Sequence, residues 1–282
     1  MPIFGDPAHG AEVRLLADEA DTMLATFVAA AADPQGRIHD RPVARQFTLV
    51  ADADPEAVAR RTCAELPGIR VMTDDVALAS AFVVAGANLV IGRTYLAYDL
   101  DAAPPPLEWA GPALPDGIRI VGPHDAGVAA LEALEAVAYP PGHVDYDEVV
   151  AARRDGDMAT LLDGRMIGPL LEDGSAVAVE ESSGRAVAAV LACNWDGAGA
   201  DTPWTGGPYV ADVFRHPDLR GSGIGKALLQ RTLVVCSLDG ATRVGMAVTE
   251  GNPAALLYEA IGFRPIGRKR VLDLPGTFPS AR

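Results

Sequence analysis

The sequence predicts an α/β protein, a mixed sheet with packed helices, organised as two domains. Three observations carry this. From residue 117 onward, short β-branched runs alternate with stretches of helical spacing. A break rich in proline and small residues, "DAAPPPLEWAGPALPDG" (101–117), separates two stretches of that mixed character. A glycine-rich turn, "RGSGIGK" (220–226), stands between an apolar strand pattern and an apolar helix pattern.

The elements follow in order through the C-terminal domain, expected over 117–282. "GIRIVG" (117–122) reads as a strand, and "DAGVAALEALEAVAY" (125–139) as a helix with Val128, Leu131, Leu134 and Val137 on one face. "DYDEVVAARRDGD" (145–157) continues as a second helix. "SAVAVEE" (175–181) and "RAVAAVLACNW" (185–195) are strands joined by the turn "SSGR", and "PYVADVF" (208–214) is the next strand. After the glycine turn come the helix "KALLQRTLVVCSL" and the strand "TRVGMAVT" (242–249). "NPAALLYEAIG" (252–262) is a short helix with Asn252 as N-cap, Pro253 in its first turn and Gly262 as its stop. "FRPIGRKRVLDL" (263–274) closes as strand.

Residues 1–103 form the expected N-terminal domain, with 104–116 as the proline-rich linker. This first domain echoes the second. Laying Thr73 on Thr249 brings Ala79 onto Ala255, Phe82 onto Tyr258 and Gly86 onto Gly262; one gap later, "IGR" at 91–93 meets "IGR" at 266–268.

Composition narrows the function. Three cysteines lie far apart with no CxxC, which predicts reduced thiols in a cytoplasmic protein; the five histidines are scattered without zinc-type spacing, so no metal is expected. A formal net charge of −15 lacks the basic footprint of a nucleic-acid binder. The most apolar stretch, "SAFVVAGANLVIG" (80–92), is too short and glycine-broken to span a bilayer, and the N-terminus lacks the pattern of a secretory signal. No nucleic-acid or membrane partner is therefore expected, and nothing in the sequence reports an oligomeric state.

The glycine turn carries the chemistry. Glycine is a poor helix former, so three glycines at a helix start ask for a reason. A strand-to-helix turn presents free backbone N–H groups at the positive end of the helix dipole, and glycine lets phosphate oxygens approach them. Arg220 adds a guanidinium. A dinucleotide fingerprint fails, because Lys226 or Leu228 stands where its last glycine belongs; a P-loop fails, because Arg220 replaces its first glycine and Ala227 its metal-binding hydroxyl.

The pattern present is R-x-x-G-x-G, Arg220-Gly221-Ser222-Gly223-Ile224-Gly225, after the strand "YVADVFRHP". It resembles the coenzyme A loop of the GNAT acyltransferase superfamily. "NPAALLYEAIGF" (252–263) supplies a second family mark, and the element order across 117–275 is similar to a complete GNAT domain. The resemblance implies a GNAT fold in the C-terminal domain and acetyl-CoA as co-substrate. Val213, Phe214 and Arg215 would end the splayed fourth strand and pair with the pantetheine arm. Arg220, Gly221, Ser222, Gly223, Ile224 and Gly225 would hold the pyrophosphate, and Asn252 would touch the coenzyme arm. Tyr258 would stand near the thioester sulfur and donate a proton or a hydrogen bond to the leaving thiolate, and the N–H of Val213 or a neighbour would stabilise the oxyanion. The first domain is then a degenerate copy: its corresponding segment "FTLVADADPEAVARR" (47–61) has no glycine, and Phe82 takes the tyrosine position.

The expected activity is direct transfer of an acetyl group to a primary amine, on a small molecule or a peptide. The acceptor ammonium must lose a proton, and Asp212 is the first candidate base, ahead of Glu180 and Glu181. His216 reads as a loop residue at the entrance. Cys193 and Cys236 have apolar neighbours and read as core rather than nucleophile. Two alternatives stay open: a non-catalytic acyl-CoA-binding or regulatory protein of the same fold, and a tandem acyltransferase of small-thiol biosynthesis similar to mycothiol synthases.

Overall fold

The computed structural model describes residues 2–6, 11–30, 42–146, 157–197 and 202–277. The chain forms two compact units, Met1–Arg93 together with Gly267–Arg282, and Thr94–Ile266. It passes from the first unit to the second inside one strand, β6 (Asn88–Asp99), and returns inside another, β12 (Arg264–Asp273).

In the first unit, β1 (Pro2–Asp6), β2 (Ala11–Ala17), β3 (Met23–Ala30) and β4 (Val43–Leu49) pair antiparallel in succession. Next, β5 (Arg70–Thr73) lies parallel to β4, and β12 pairs antiparallel with β5, setting Asp273 opposite Arg70. That cross-strand pair is also a forked ion pair, Arg70 Nε to Asp273 Oδ1 at 2.8 Å and Nη2 to Oδ2 at 3.1 Å. Helices α1 (Pro55–Glu65) and α2 (Val76–Val84) begin on the carboxylates of Asp54 and Asp75, each accepting from two amides of the first turn. Their inner faces, with Val58, Leu78 and Phe82, meet Leu16, Phe27, Phe47 and Leu272 in one core.

The second unit has the strand order β6-β11-β10-β9-β8-β7, with β7 Ile118–Val121, β8 Ala176–Glu180, β9 Ala186–Trp195, β10 Gly207–Arg215 and β11 Arg243–Thr249. Alternate residues divide between two cores. Ala176, Ala178 and Val190 face one, with Leu228, Leu229 and Leu233; Val177, Val179 and Leu191 face the other, with Leu131, Leu134 and Leu161. This explains the near-continuous apolar runs "AVAV" and "AVAAVLAC": both faces are covered. The first core is closed by α6 (Ile224–Leu238) and α7 (Ala254–Ile261), the second by α4 (Val128–Ala138) and α5 (Asp157–Leu162), with α3 (Pro123–Ala126) leading into α4.

The expected elements are present within about two residues, except that the helix expected over 125–139 is broken at Gly127 (φ +83) into α3 and α4, and that most of the helix expected over 145–157 (147–156) lies outside the described residues. The proline-rich stretch carries one 3-10 turn, Leu107–Ala110, and its Trp109 and Leu114 pack on the first of these two cores. The echo between the two halves has a structural counterpart. The helices α2 and α7 run into Gly86 (φ +95) and Gly262 (φ +127), at backbone angles L side chains rarely adopt. Each is followed by a long strand, β6 or β12.

Trp204 is a packing anchor, 2% exposed, with its ring near Tyr209 and under the Arg243 guanidinium. A Cβ added at Gly245 on β11 would lie 2.6 Å from that ring. Gly245→Ala should therefore force the indole or the strand to move and destabilise by about 1–3 kcal/mol. A lowered urea midpoint with unchanged m-value checks this.

Candidate active site

The site grows from an irregularity in β10. Its pairing with β9 runs Tyr209 to Cys193 and Val210 to Ala192, then resumes with Asp212 opposite Leu191, so Ala211 is an extra residue. The parallel pairing with β11 ends at Tyr209–Gly245 and Val210–Met246. Beyond this bulge, β10 runs on to Arg215 beside β9 alone. A bulge shifts the side-chain alternation by one. Val210 and Val213, three residues apart, both face the core beneath α6, while Ala211 and Phe214 face the α4 side.

The extra residue turns the Asp212 carboxyl toward Tyr139, which caps the C-terminus of α4. The Tyr139 hydroxyl donates to Asp212 Oδ1 at 2.6 Å and lies 3.4 Å from the Val213 carbonyl. The Val213 N–H donates to the same Oδ1 at 2.8 Å. Burial pushes the Asp212 carboxyl up to about 7, against the lowering pull of the Tyr139 hydrogen bond; Glu135 and Asp145 raise it further. Burial also pushes the Tyr139 and Tyr258 hydroxyls up, and Asp212 and Asp145 add to this.

Tyr258 sits on α7 with only 5% of its surface exposed, its ring edge-on to Phe263. Asn252 binds in two directions: Oδ1 accepts from the Ala254 N–H at 2.8 Å, starting α7, and Nδ2 donates to Asp145 Oδ2 at 2.7 Å. Asp145 also lies 3.6 Å from His143 Nδ1, and the His143 ring stands 5.1 Å from that of Tyr139. Tyr139, Asp145, Asp212, Asn252 and Tyr258 thus form one polar cluster beside the bulge.

At the other end of β10, the chain makes a 3-10 turn, Pro217–Leu219, and enters the glycine loop. Gly221 (φ +83) and Gly223 (φ +81) need glycine for their backbone angles alone. Gly225 has no such need, and a Cβ there would meet nothing within 4 Å. Its bareness serves no contact of the described protein. Ser222 Oγ donates to the Leu219 carbonyl and braces the loop. Gly223 is the N-cap of α6, a 15-residue helix, and makes no side-chain cap; the Ile224 N–H donates to Ser222 Oγ at 3.4 Å. Ile224 is buried beneath the loop. Arg215 and Arg220 lie close enough that Arg220, after burial, lowers the Arg215 guanidinium. Two cations held together beside a helix N-terminus fit an anion.

The fold thus brings Val213, Phe214 and Arg215 to the end of β10, Arg220–Gly225 to the turn after it, and Asp212, Asn252 and Tyr258 to the cluster. Phe214 is buried with its ring 6.2 Å from Tyr139, so it packs behind the cluster. Glu180 is unsuited to act as a base: hydrogen bonds from Arg185 and Ser183 hold it at about 2, and Arg185 Nη2 lies 2.6 Å away. Cys193 and Cys236 are buried and pushed up to about 11 and about 12, as core thiols. Sequence reasoning missed Tyr139 and Asp145. The only signal for Tyr139 was its place at a helix end before Pro140-Pro141; its partner lies 73 residues away.

The first unit repeats the scaffold without the site. There β4 pairs parallel with β5 at Val43–Arg70 and Ala44–Val71, and its antiparallel pairing with β3 is broken between Thr26 and Val28. Gln46 takes φ +55. The following helix, however, starts on Asp54, whose carboxylate accepts from the Glu56 and Ala57 amides at 3.1 and 3.3 Å. The first amides of this helix are thus met by the protein's own carboxylate. Phe82, in the place of Tyr258, is fully buried edge-on to Phe47.

Residues 173–265 match the family model described as acetyltransferase (GNAT) domain. The peptidyl-lysine N-acetyltransferase YjaB of Salmonella typhimurium is 35% identical over 74 residues, 26% of this chain and 48% of that enzyme. The match therefore spans about half the length of that relative. A GCN5-related N-acetyltransferase from Sphaerobacter thermophilus superposes with TM-score 0.56 at 17% identity, covering 97% of this chain and 84% of that one. A tandem GNAT protein from the clavulanic acid biosynthesis pathway gives TM-score 0.51 at 17% identity, covering 98% and 86%. Residues 173–265 are thus similar to a GNAT acetyltransferase domain, and the fold of nearly the whole chain is similar to that of solved GNAT proteins, a tandem one among them. Among the described residues, no group of three or more His, Cys, Asp or Glu is placed to hold a metal ion, and no helix is long and apolar enough to cross a membrane.

The Asp212 environment makes a testable demand on stability. Its carboxyl is raised in the fold, so the folded state holds a proton that the unfolded state has lost between about pH 4 and 7. Stability from this group is present below that window, is lost as pH rises through it, and is flat above. Asp212→Asn keeps an acceptor for Tyr139 and Val213 but cannot ionise. The wild-type protein should lose up to about 4 kcal/mol relative to Asp212→Asn from pH 4 to 8. Urea titrations of both proteins across this range read the difference.

Proposed function

We propose that the protein transfers an acetyl group from acetyl-CoA to a primary amine by direct attack within a ternary complex. The observation that carries this is Gly225, bare without backbone or packing need, beside the uncapped start of α6 and the paired cations Arg215 and Arg220. A pyrophosphate fits such a loop: amides and guanidinium groups supply donors, and the empty space above Gly225 admits the phosphate oxygens. The end of β10, free of β11 beyond Val210, offers backbone groups to an extended amide chain such as pantetheine. The bound coenzyme supplies the activated acetyl group.

The remaining chemistry falls to the cluster. An alkyl ammonium must be deprotonated before it attacks, and a carboxyl poised at about 7 accepts that proton at neutral pH. Asp212 Oδ1 already accepts two hydrogen bonds, so Oδ2 is the oxygen for the acceptor. Because the Val213 N–H is held by Asp212, a neighbouring donor of β10 is needed for the oxyanion. Tyr258 is a weaker acid than an alkyl thiol, and burial weakens it further. It therefore stabilises the leaving thiolate by a hydrogen bond rather than by giving up its proton. Asn252 joins the start of α7, the helix that carries Tyr258, to Asp145. The name of the Salmonella relative, a peptidyl-lysine N-acetyltransferase, puts lysine ε-amines first among acceptors to test.

Calorimetric titration with acetyl-CoA tests the reading. Binding of one molecule per chain is expected, with loss of at least tenfold in affinity in Gly225→Val. That position is the cleanest probe because an added Cβ there meets no neighbouring atom within 4 Å and the backbone angle is ordinary, unlike Gly223. Equal affinity in the variant removes the loop from coenzyme binding. Tyr258→Phe should lower kcat by roughly 10- to 100-fold while leaving coenzyme affinity within about twofold. An unchanged kcat removes the hydroxyl from the chemistry.

A further inference from the structure

We infer that Tyr139 is a positioning residue: its hydroxyl fixes the Asp212 carboxylate so that one oxygen is tied to the protein and the other is presented to the acceptor ammonium. The inference rests on the proposed role of Asp212 as base and goes beyond it, because Tyr139 comes from a helix that neither the glycine loop nor the Asn252–Phe263 segment includes.

The geometry is specific. Oδ1 of Asp212 accepts from the Tyr139 hydroxyl at 2.6 Å and from the Val213 N–H at 2.8 Å. Two donors on one oxygen fix both the rotamer and the ring-like turn with Val213. A short O–H to carboxylate bond of this kind is among the stronger hydrogen bonds available to a side chain. The tyrosine is itself fixed. Its N–H closes α4 on the Glu135 carbonyl, and its ring lies between His143 at 5.1 Å and Phe214 at 6.2 Å. The bulge at Ala211 places Asp212 on this side of β10, where no further strand holds it.

The charged and titratable groups facing Asp212 are Glu135 and Tyr139 from α4, Asp145 from the segment after it, and Tyr258 from α7; His143 stands behind Tyr139 and Asp145. The two carboxylates oppose ionisation of Asp212. Among these groups, the Tyr139 hydroxyl is the donor that favours the carboxylate, together with the Val213 amide. Without it Asp212 would hold its proton to higher pH and could not accept another. The proton of Tyr139 stays on its own oxygen throughout; the acceptor's proton goes to Asp212 Oδ2.

The test starts with the protein alone. Infrared difference spectra across pH 5–10 should show a carboxylic-acid C=O band titrating in the wild type and missing in Asp212→Asn. In Tyr139→Phe, which keeps the ring contacts, its midpoint should rise by about one pH unit or more, a tenfold change in acid strength. Replacing Tyr139 by 3-fluorotyrosine, a stronger donor, should move the midpoint down. The same order should appear in the acid limb of kcat/KM, measured with acetyl-CoA and an Nα-acetylated lysine peptide. Midpoints that coincide in all three proteins overturn the inference while leaving the base reading intact. Full turnover by Asp212→Asn overturns the base reading, and with it the catalytic meaning of Tyr139, even where the midpoints move.

Discussion

Most of the site depends on the ladder of β10 carrying one residue too many. Sheet strands alternate side chains strictly, so a regular β10 could not put Val210 and Val213 in one core and Ala211 and Phe214 in the other. The extra residue breaks that alternation and coincides with the end of pairing to β11. One local defect therefore does two things. It turns a carboxylate toward α4, and it leaves the end of β10 with a neighbour on only one side. The glycine loop matters because it starts from this freed strand end.

The two units share a scaffold and differ at the start of one helix. Both keep a parallel strand pair that lasts for two residues and an irregular ladder on the other side. Both keep a helix that follows. The difference is electrostatic. In the second unit the helix starts on bare glycine, with Arg215 and Arg220 beside it; in the first it starts on Asp54, whose carboxylate satisfies the amides from within. An N-cap carboxylate stabilises a helix by about 1 kcal/mol and puts a negative charge where an anion would have to enter. The first helix is better capped for folding and closed to phosphate for the same reason.

Much of this was legible in the sequence. The glycine loop and the Asn252–Phe263 segment announce themselves because local backbone demands select rare residue types: positive φ at Gly221, Gly223 and Gly262, a side-chain cap at Asn252. The double-faced burial of β8 and β9 shows as unbroken apolar runs. Tyr139 and Asp145 were not legible. Neither position has an unusual local requirement, and their importance comes from partners 73 and 107 residues away. The bulge was hidden too, since no glycine marks it: "YVADVFR" reads as an ordinary strand. The retreat of Glu180 into an ion pair with Arg185 depends on a hairpin partner that spacing alone does not rank above solvent.

The way the chain shares its strands bears on how it is made. The core of the first unit includes Leu272 and Leu274, contributed by β12 and the residue after it, together with Leu16, Phe47 and Phe82. A ribosome delivers those N-terminal side chains long before Leu272 exists. The first unit can thus collect its helices and its first five strands during synthesis, but it leaves a hydrophobic seam along β5 open until β12 has emerged. The second unit, contiguous from Thr94 to Ile266, meets no such delay. The half that holds the candidate site completes its own set of strands first, and the other half is sealed last.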